Sequence, residues 1–278
     1  MKLYTNNGVE LYRSELIPCP HGFATRIGGV STEAHTRSLN LAFGRGDDDA
    51  TVRENLSRFL GAIGLDCRSV ISLPQVHGTD VLTVTARDAG DGYFYSSGRT
   101  ADGYVTVDRG VTLGVKTADC VPILLCGLRA DGTPIAVSAL HAGWRGTAGG
   151  IAKRGVETLL RLGVERENIR AAIGPSIRAC CYEVGTELRD VFLKTLGESI
   201  AAEAFTERRD GKQMLDLRSV NRALLLSCGI PYESIDVSEE CTSCSPERFF
   251  SHRYSRGLRG TMLSVIALPS GGQESLLN

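Results

Sequence analysis

The sequence predicts a mixed α/β (α+β) fold, a single-domain sandwich of mixed β-sheets with flanking helices. Short segments rich in β-branched residues recur between residues 70 and 140, and strand and helix patterns alternate after them. This alternation favours sheets covered by helices, whereas the strand-dense first half argues against a purely parallel, doubly wound sheet. A chain of 278 residues is near the upper size for one core. We therefore expect one domain over residues 1–268 and a disordered tail over 269–278.

The individual elements follow from hydrophobic periodicity and from the Gly, Pro and Asp residues that bound each segment. Strands are predicted at 70–73, 81–85, 103–107, 113–116, 121–126 and 135–140, and later at 169–173, 234–237 and 262–268. Residues 147–162 place apolar side chains at helical spacing, with charged residues on the other side and Gly163 at the end. This pattern predicts one amphipathic helix. Further helices are predicted near 187–196 and 219–227.

The charge balance and hydropathy of the chain exclude several classes of partner. The formal net charge is -1, so no summed field favours nucleic acid or an acidic membrane surface. The longest uncharged apolar stretch, residues 121–128, is too short to span a bilayer, and the first residues lack a signal-peptide pattern. We expect a cytoplasmic protein that binds small molecules and neither nucleic acid nor membranes.

The nine cysteines do not predict disulfides, because their number is odd and no export signal is present. Most are expected to be reduced thiols. Cys241 and Cys244 have zinc-finger spacing, but only His252 lies nearby in sequence, so this pair is interpreted as a turn with thiols. A redox role stays open for the vicinal pair Cys180 and Cys181.

Three short segments each offer one metal-ligating side chain beside glycine or proline. His77 stands between Pro74 and Gly78, Cys120 precedes an apolar strand, and His141 ends a strand. Two imidazoles and one thiolate suit zinc and leave a fourth position open, as in catalytic zinc sites. For each residue a purely structural role is the alternative, and Cys120 could also be a nucleophile activated by an imidazole.

Asp119 and a glycine-rich segment accompany these candidate ligands. Asp119 could orient a ligand histidine or cap a turn. The segment 141–150 joins a strand to a helix through four glycines, so its amides and the helix N-terminus favour an anion such as phosphate. Its candidate anion-binding residues are Gly143, Arg145 and Gly146, with Arg26 as a further cation. Alternatively, the glycines serve only tight packing.

Several motifs, taken together and in order, resemble the YfiH-like family, also called the laccase-domain or multicopper polyphenol oxidase family. They are residues 21–31, 75–78, 118–122, 141–146, 173–175 with 181–185, and 249–253, and they span nearly the whole chain. The resemblance implies a mixed α/β sandwich with a catalytic zinc ion on His77, Cys120 and His141. It also implies phosphorolysis of inosine, guanosine, adenosine and methylthioadenosine, together with adenosine deamination. The implied partners are purine nucleosides and phosphate, and a monomer and a dimer both stay open.

The chain's histidine content discriminates among the activities attached to this family. A laccase needs a trinuclear copper cluster with many histidine ligands, whereas this chain has five histidines and no His-x-His pair. Copper can still enter a site of two histidines and one thiolate, where oxidation of phenols would be adventitious. For the phosphorylase, the candidate proton donors to the purine are Asp119, Glu183 and His21.

Two alternatives of other classes stay open. One is a cysteine hydrolase in which Cys120 attacks, His141 is the base and the glycine turn is the oxyanion hole. The other is a non-enzymatic regulator that binds purines or metal.

Overall fold

Strands dominate the chain in the computed structural model, which describes residues 1–208 and 210–269. Within these residues the strands are β1 (Lys2–Asn6), β2 (Val9–Arg13), β3 (His21–Ala24), β4 (Val70–Ile71), β5 (Val81–Thr83), β6 (Gly103–Thr106), β7 (Thr112–Thr117), β8 (Val121–Leu128), β9 (Pro134–Ala142), β10 (Ile169–Ile173), β11 (Glu183–Val184), β12 (Phe205–Glu207), β13 (Gln213–Leu215), β14 (Ile235–Val237) and β15 (Met262–Ala267). The helices are α1 (Asp49–Ile63), α2 (Trp144–Ala148), α3 (Ile151–Arg161), α4 (Glu187–Leu196), α5 (Glu198–Ala204), α6 (Leu217–Ser227) and α7 (His252–Ser255). The predicted disordered tail, apart from Pro269, lies outside the described residues and stays a prediction.

Most strands of the described chain belong to two six-stranded sheets. The first has the order β1-β2-β3-β15-β7-β4 and the second has the order β14-β10-β8-β9-β6-β5, while β11-β13-β12 form a small third sheet. Neighbouring strands are antiparallel except for the pairs β4 with β7, β5 with β6, and β10 with β14. The predicted mixed α/β class, with sheets and flanking helices, is confirmed.

Two hydrophobic cores lie on the two faces of the second sheet. Leu124 and Cys126 of β8 belong to the core shared with the first sheet and α1, whereas Ile123 and Leu125 belong to the core shared with α3 and α6. This alternation is the period of two expected of a strand. Because both faces of β8 are covered, its sequence is a continuous apolar run without alternating polar residues.

The prediction of a single helix over residues 147–162 is wrong in detail. The segment folds as α2 and α3, which meet at Gly149 and Gly150. Gly150 has a φ of 79°, in the left-handed region that glycine occupies at little cost, so the chain turns there. α3 then buries its apolar face against the second sheet, as its hydrophobic spacing predicts.

The first 65 residues contain a helix that the sequence analysis did not assign. α1 begins after Asp48, whose side chain accepts a hydrogen bond from the Thr51 N–H, and it ends at Gly64 in the left-handed conformation. Its buried residues are Val52, Asn55, Leu56, Phe59 and Leu60. Their helical spacing is visible in the sequence and is a signal that predicts this helix.

His21 is buried within β3 and is fully paired there. Its Nδ1 lies 2.7 Å from the Cys19 carbonyl oxygen, and the Ser14 N–H donates to Nε2 at 2.9 Å. These partners require a neutral ring with its proton on Nδ1. Burial is the main cause that lowers the pKa of His21 to about 4. His21 therefore contributes to the core, and its surroundings give no support to a role as proton donor.

Acidification is expected to destabilise the protein through His21. Its folded pKa of about 4 lies below the ordinary value of 6.5, so the unfolded chain binds the extra proton first as the pH falls below 6.5. The linked loss in the free energy of unfolding is about 2 kcal/mol between pH 7.5 and pH 5. Urea unfolding at both pH values checks this. His21→Asn should show a flatter pH dependence than wild type, and parallel losses in the two proteins would contradict the assignment.

Candidate metal centre

Four segments converge at one edge of the second sheet because of its strand register. β8 pairs with β9 so that Pro122 faces His141, and β6 pairs with β9 so that Gly103 faces Leu140. Cys120 and Asp102 each precede one of these neighbouring strands and so flank the end of β9, which carries His141. β5 starts at the same edge, since it runs parallel to β6, and the loop bearing His77 leads into it. The topology thus assembles residues that are up to 64 positions apart in the chain.

His141 is held by a buried carboxylate. Its Nδ1 lies 2.8 Å from Asp102 Oδ1, and neither side chain is more than 3% exposed. The backbone N–H of His141 also donates to the Asp102 carbonyl oxygen at 2.7 Å. An imidazole whose Nδ1 is bonded to a carboxylate presents Nε2 to a metal ion, in the arrangement common at zinc sites.

The same carboxylate holds the loop that carries His77. The N–H groups of Val76 and Gly78 donate to Asp102 Oδ2 at 3.1 and 2.7 Å, and that of His77 donates to Oδ1 at 2.9 Å. His77 has a φ of 60°, which is unusual for a residue other than glycine. Three hydrogen bonds to one buried carboxylate stabilise this conformation. Asp102 therefore positions both histidines.

The glycines after His141 allow the two segments to pack closely. A Cβ at Gly143 would lie 2.8 Å from His77 Cδ2 and 3.3 Å from Cys120 Sγ. A Cβ at Gly146 would lie 2.8 Å from the Gly78 carbonyl oxygen. This proximity supports the packing interpretation of the glycine turn, which the sequence analysis had left as the alternative to anion binding.

Cys120 completes a cluster of three ligand atoms. Its Sγ lies 3.9 Å from His77 Nε2, and one ligand atom each from His77, Cys120 and His141 all lie within 4.8 Å of one another. The two imidazole rings meet edge to face with centroids 4.8 Å apart. In a tetrahedral site with ordinary bond lengths, nitrogen and sulfur ligands are about 3.5 Å apart. The donor set and its spacing therefore fit a zinc ion with one open position.

The close contacts within the cluster also shift the pKa values of Cys120 and His141. Burial opposes ionisation of Cys120, but the contacts with His141 and His77 outweigh it and lower the pKa of the thiol to about 6. Burial likewise opposes protonation of His141, yet Asp102 and Cys120 raise the pKa of His141 to about 9. These shifts favour a thiolate on Cys120 beside a protonated His141, and a metal ion bound there would displace that proton.

Asp119 makes contacts other than those suggested by its place beside Cys120. One of its carboxylate oxygens accepts from Thr242 Oγ1 at 2.6 Å and the other from the Arg253 N–H at 2.7 Å. With a φ of 93°, Asp119 lies in the left-handed region. Asp119 therefore links the loop that carries Cys120 to Thr242 and to α7. The carboxylate that orients His141 is that of Asp102.

Two cavities open beside the three ligand residues and share His77, Ala118, Cys120 and Arg259 in their walls. The first, which we call the Tyr182 cavity, has a volume of about 430 Å³. Its other lining residues are Asp119, Ile177, Tyr182, Leu217, His252 and Arg253. The second, the Lys116 cavity, has a volume of about 400 Å³. Its further lining residues include Arg45, Gln75, Lys116, His141 and Thr261.

Arg26, Arg145 and Glu183, which the sequence also predicted as site residues, lie in three separate surroundings. Arg26 donates to the carbonyl oxygens of Arg37 and Pro246 and stacks on Phe250, and it is not among the residues that line the two cavities. Arg145 is exposed and lies over the Trp144 ring. Glu183 is engaged by Lys212 and Arg208.

The sequence analysis did not identify Asp102 or the cations of the Lys116 cavity. Asp102 stands immediately before a predicted strand, where polar side chains often serve a site, and this was the available signal. Arg45, Lys116 and Arg259 are scattered along the chain without a shared motif. Only the fold brings them to one cavity.

Gly143→Ala is expected to weaken zinc binding by about tenfold or more, because the added methyl group displaces His77 or Cys120. Competition with a chromophoric chelator measures the zinc affinity, and circular dichroism checks the fold. Gly61→Ala in α1 is the matched control, since a Cβ there meets nothing within 4 Å. An unchanged zinc affinity in folded Gly143→Ala would show that the close contact of residue 143 with His77 and Cys120 does not determine the shape of the site.

Comparisons with known proteins place these features among related chains. A family model described as multi-copper polyphenol oxidoreductase laccase matches residues 20–269. A purine nucleoside phosphorylase of Deinococcus radiodurans is 38% identical over 266 residues, which are 95% of each chain. Adenosine deaminase RL5, from an unknown prokaryotic organism, is 35% identical and covers 83% of this chain and 87% of its own. The crystal structure of the hypothetical protein YfiH from Bacillus licheniformis has a TM-score of 0.86 at 34% identity, covering 96% of this chain and 99% of that one.

No helix within residues 1–208 and 210–269 combines the length and hydrophobicity that a membrane span requires.

Proposed function

The chain belongs to the multi-copper polyphenol oxidoreductase laccase family, and from this premise we propose that it is a zinc-dependent purine nucleoside phosphorylase that also deaminates adenosine. The observation that carries the proposal is the cluster of His77, Cys120 and His141 at the junction of two cavities. Relatives named purine nucleoside phosphorylase and adenosine deaminase support the choice of substrates. Inosine, guanosine, adenosine and methylthioadenosine are the proposed nucleosides.

The family's description as a copper oxidase does not agree with the histidines of this chain. All five histidines lie within the described residues, and two of them, His77 and His141, belong to the three-residue cluster. His21 is paired in the core, and His35 Nε2 is bonded to the Arg45 carbonyl oxygen. No trinuclear copper site can be assembled from what is left. Copper could occupy the three-residue site, but a laccase reaction needs more than one such centre.

The Tyr182 cavity is suited to a nucleoside. Ile177, Leu217 and Tyr182 supply apolar wall, while His252 and Asp119 supply polar groups near it. Purine rings have apolar faces and polar edges, so a cavity that is mainly apolar with a few polar groups matches them. Of the three candidate proton donors from the sequence, Asp119 alone is in the wall of this cavity.

The Lys116 cavity is suited to phosphate. Arg45, Lys116 and Arg259 place three cationic side chains in its wall. Burial, followed by the charge of Arg45, lowers the pKa of Lys116 to about 8, and a bound anion would favour its charged form. Arg259 Nε is buried and has no hydrogen-bond partner within the described part of the chain. This atom is closed to a bound anion, so the three cationic side chains are the reason that we assign phosphate to this cavity in preference to the turn at 143–150.

We assign the two reactants to the two cavities, which share His77 and Cys120 in their walls. In phosphorolysis a phosphate oxygen bonds to the anomeric carbon, the bond from that carbon to the purine nitrogen breaks, and the purine takes up a proton. Arg45, Lys116 and Arg259 would hold the phosphate, and the walls around Tyr182 would hold the base. When bound by His77, Cys120 and His141, zinc supplies Lewis-acid chemistry at the position that the three ligands leave open. Deamination of adenosine in the same site would bond the oxygen of a water molecule to C6 of the purine and release ammonia.

A cysteine hydrolase is the second candidate, because Cys120, His141 and Asp102 are arranged as nucleophile, base and orienting carboxylate. The low pKa of Cys120 agrees with that reaction. The position of His77 favours the metal enzyme, since a triad does not need a second imidazole 3.9 Å from the sulfur. A non-enzymatic regulator would not need a cationic cavity beside the cluster.

The decisive assay incubates the purified protein with inosine, with and without phosphate, and measures hypoxanthine and ribose 1-phosphate. We expect both products in equal amounts and only when phosphate is present. Lys116→Met and Arg259→Met should raise the KM for phosphate by about tenfold or more, since each removes a charged contact of the kind that contributes about 1.5–3 kcal/mol. Arg129→Met, which alters an exposed arginine outside the walls of both cavities, is the matched control and should behave like wild type. Hypoxanthine release that is independent of phosphate would rule out the phosphorylase.

A further inference from the structure

Four cysteines outside the candidate metal centre form a second cluster. Cys180 and Cys181 lie between β10 and β11, whereas Cys241 and Cys244 lie between β14 and α7. Cys180 Sγ is 3.5 Å from the sulfurs of both Cys241 and Cys244, and Cys181 Sγ is 3.3 Å from Cys244 Sγ. All four sulfurs lie within 4.8 Å of one another. Two pairs that are 60 positions apart in the chain therefore meet at one point.

We propose that Cys180, Cys181, Cys241 and Cys244 bind a second zinc ion in a closed, structural site. Sulfur ligands of a tetrahedral zinc with ordinary bond lengths are about 3.8 Å apart, which is within the range seen in this cluster. Four cysteines are a complete ligand set for structural zinc, and they leave no open position for a substrate. This site is thus chemically distinct from the cluster of His77, Cys120 and His141.

The spacing of the sulfurs favours a shared metal over a redox disulfide. A disulfide joins one pair at about 2.05 Å. Here Cys180 approaches both Cys241 and Cys244, and Cys244 approaches both Cys180 and Cys181, all at 3.3–3.5 Å. All nine cysteines of the chain are free thiols. A redox role for Cys180 and Cys181 alone, which the sequence left open, would also not explain why Cys241 and Cys244 lie beside them.

The local backbone suits a thiolate ligand. The Cys241-to-Cys244 segment is a tight turn in which the N–H groups of Cys244 and Ser245 donate to the Cys241 carbonyl oxygen. A turn of this length brings the two cysteines of a Cys-x-x-Cys segment together, which is a ligand spacing common at structural zinc sites.

The second site would join the segment that carries Tyr182 to the segment that holds Asp119, and both of these residues line the Tyr182 cavity. Tyr182 directly follows Cys181, and Thr242 directly follows Cys241 and donates to Asp119 beside Cys120. A zinc ion on the four sulfurs would fix Tyr182 and Asp119 relative to each other. Its loss is therefore expected to raise the KM for the nucleoside more than it lowers kcat.

Zinc stoichiometry of the full-length protein, purified under reducing conditions from zinc-supplemented cells, tests the proposal. Mass spectrometry of the metal should find two zinc ions per chain in wild type and one in the double variant Cys241→Ser/Cys244→Ser. His141→Ala should retain one, which separates this site from the candidate catalytic site. Cys67→Ser is the matched control, since Cys67 belongs to neither cluster, and it should retain two.

Cobalt substitution gives a readout that does not depend on how the serine variants fold. In His141→Ala loaded with cobalt, a tetrathiolate site should show strong sulfur-to-cobalt charge-transfer absorption. Two results would overturn the proposal, namely a His141→Ala protein that binds no zinc or cobalt while folded, and a disulfide among the four cysteines in protein handled without reductant or oxidant. Neither result depends on whether the protein is a phosphorylase, because both are read from metal or thiol content.

Discussion

Cys120→Ser is expected to abolish phosphorolysis and to lower the zinc content by one ion per chain. Serine replaces a thiolate with a neutral hydroxyl, which is a poor zinc ligand, and the pair of histidines that remains cannot hold the ion tightly. Loss of Lewis-acid stabilisation worth several kcal/mol corresponds to a decrease in kcat/KM of about a thousandfold. Metal analysis and the inosine assay, on the same preparations, measure both effects.

His77→Ala distinguishes the metal enzyme from the cysteine hydrolase, because Cys120→Ser would inactivate both. Cys120, His141 and Asp102 stay in place without His77. If a cysteine hydrolase were responsible for the release of hypoxanthine from inosine, His77→Ala should therefore keep most of that activity. The zinc enzyme should lose about as much activity as Cys120→Ser. Cys67→Ser, which alters a partly buried thiol outside the site, is the control for both variants. Full phosphorolysis in Cys120→Ser would refute the assignment of the site.

Asp102→Asn is expected to weaken zinc binding by about 10–100-fold, the usual effect of removing a carboxylate that orients a ligand histidine. Asp102 accepts from the His141 ring and from three N–H groups of the His77 loop. An asparagine amide keeps one acceptor oxygen but turns an NH2 group towards other donors. Both histidines should therefore lose their fixed positions. Activity should be low at limiting zinc and should recover in part when zinc is added in excess.

Asp80→Asn is the matched control for this variant. Asp80 is exposed and lies near the same sheet edge, where its carbonyl oxygen accepts from the Asp102 N–H. Its substitution changes the net charge equally but leaves the contacts of the Asp102 carboxylate intact. Chelator competition should give a zinc affinity close to that of wild type. Equal losses in the two variants would mean that general electrostatics, and not positioning by Asp102, governs zinc binding.

Local sequence patterns were sufficient for many of the elements after residue 120. β10 and α4 have the bounds that their periodicity predicts, and β8 and β9 extend the predicted strands by a few residues. The predicted helix after His141 failed at Gly149 and Gly150, where two adjacent glycines let the chain turn. α1 was missed although its apolar spacing is clear.

The candidate ligands were also recognisable one by one, because each stands beside glycine or proline at a strand end. The sequence of a single segment could not show which residues of other segments lie beside it in the folded protein. Asp119 is adjacent to Cys120 in sequence, yet the carboxylate that reaches His141 belongs to Asp102, 39 positions away. Arg26 stood out beside glycines, yet its guanidinium is used to hold the Arg37 and Pro246 carbonyls.

Composition, periodicity and residue type by themselves determined the mixed α/β class, the three candidate ligands at strand ends and the exclusion of a laccase centre. The tertiary structure alone decided which groups share a site. The antiparallel register of β6, β8 and β9 places Asp102, Cys120 and His141 side by side. Strand β7 brings Lys116 to the same cavity as Arg45 and Arg259 of two loops, and other loops bring the four clustered cysteines together. The physical reason is that side-chain chemistry is local to a residue, whereas strand pairing joins distant segments through hydrogen bonds that every backbone offers alike.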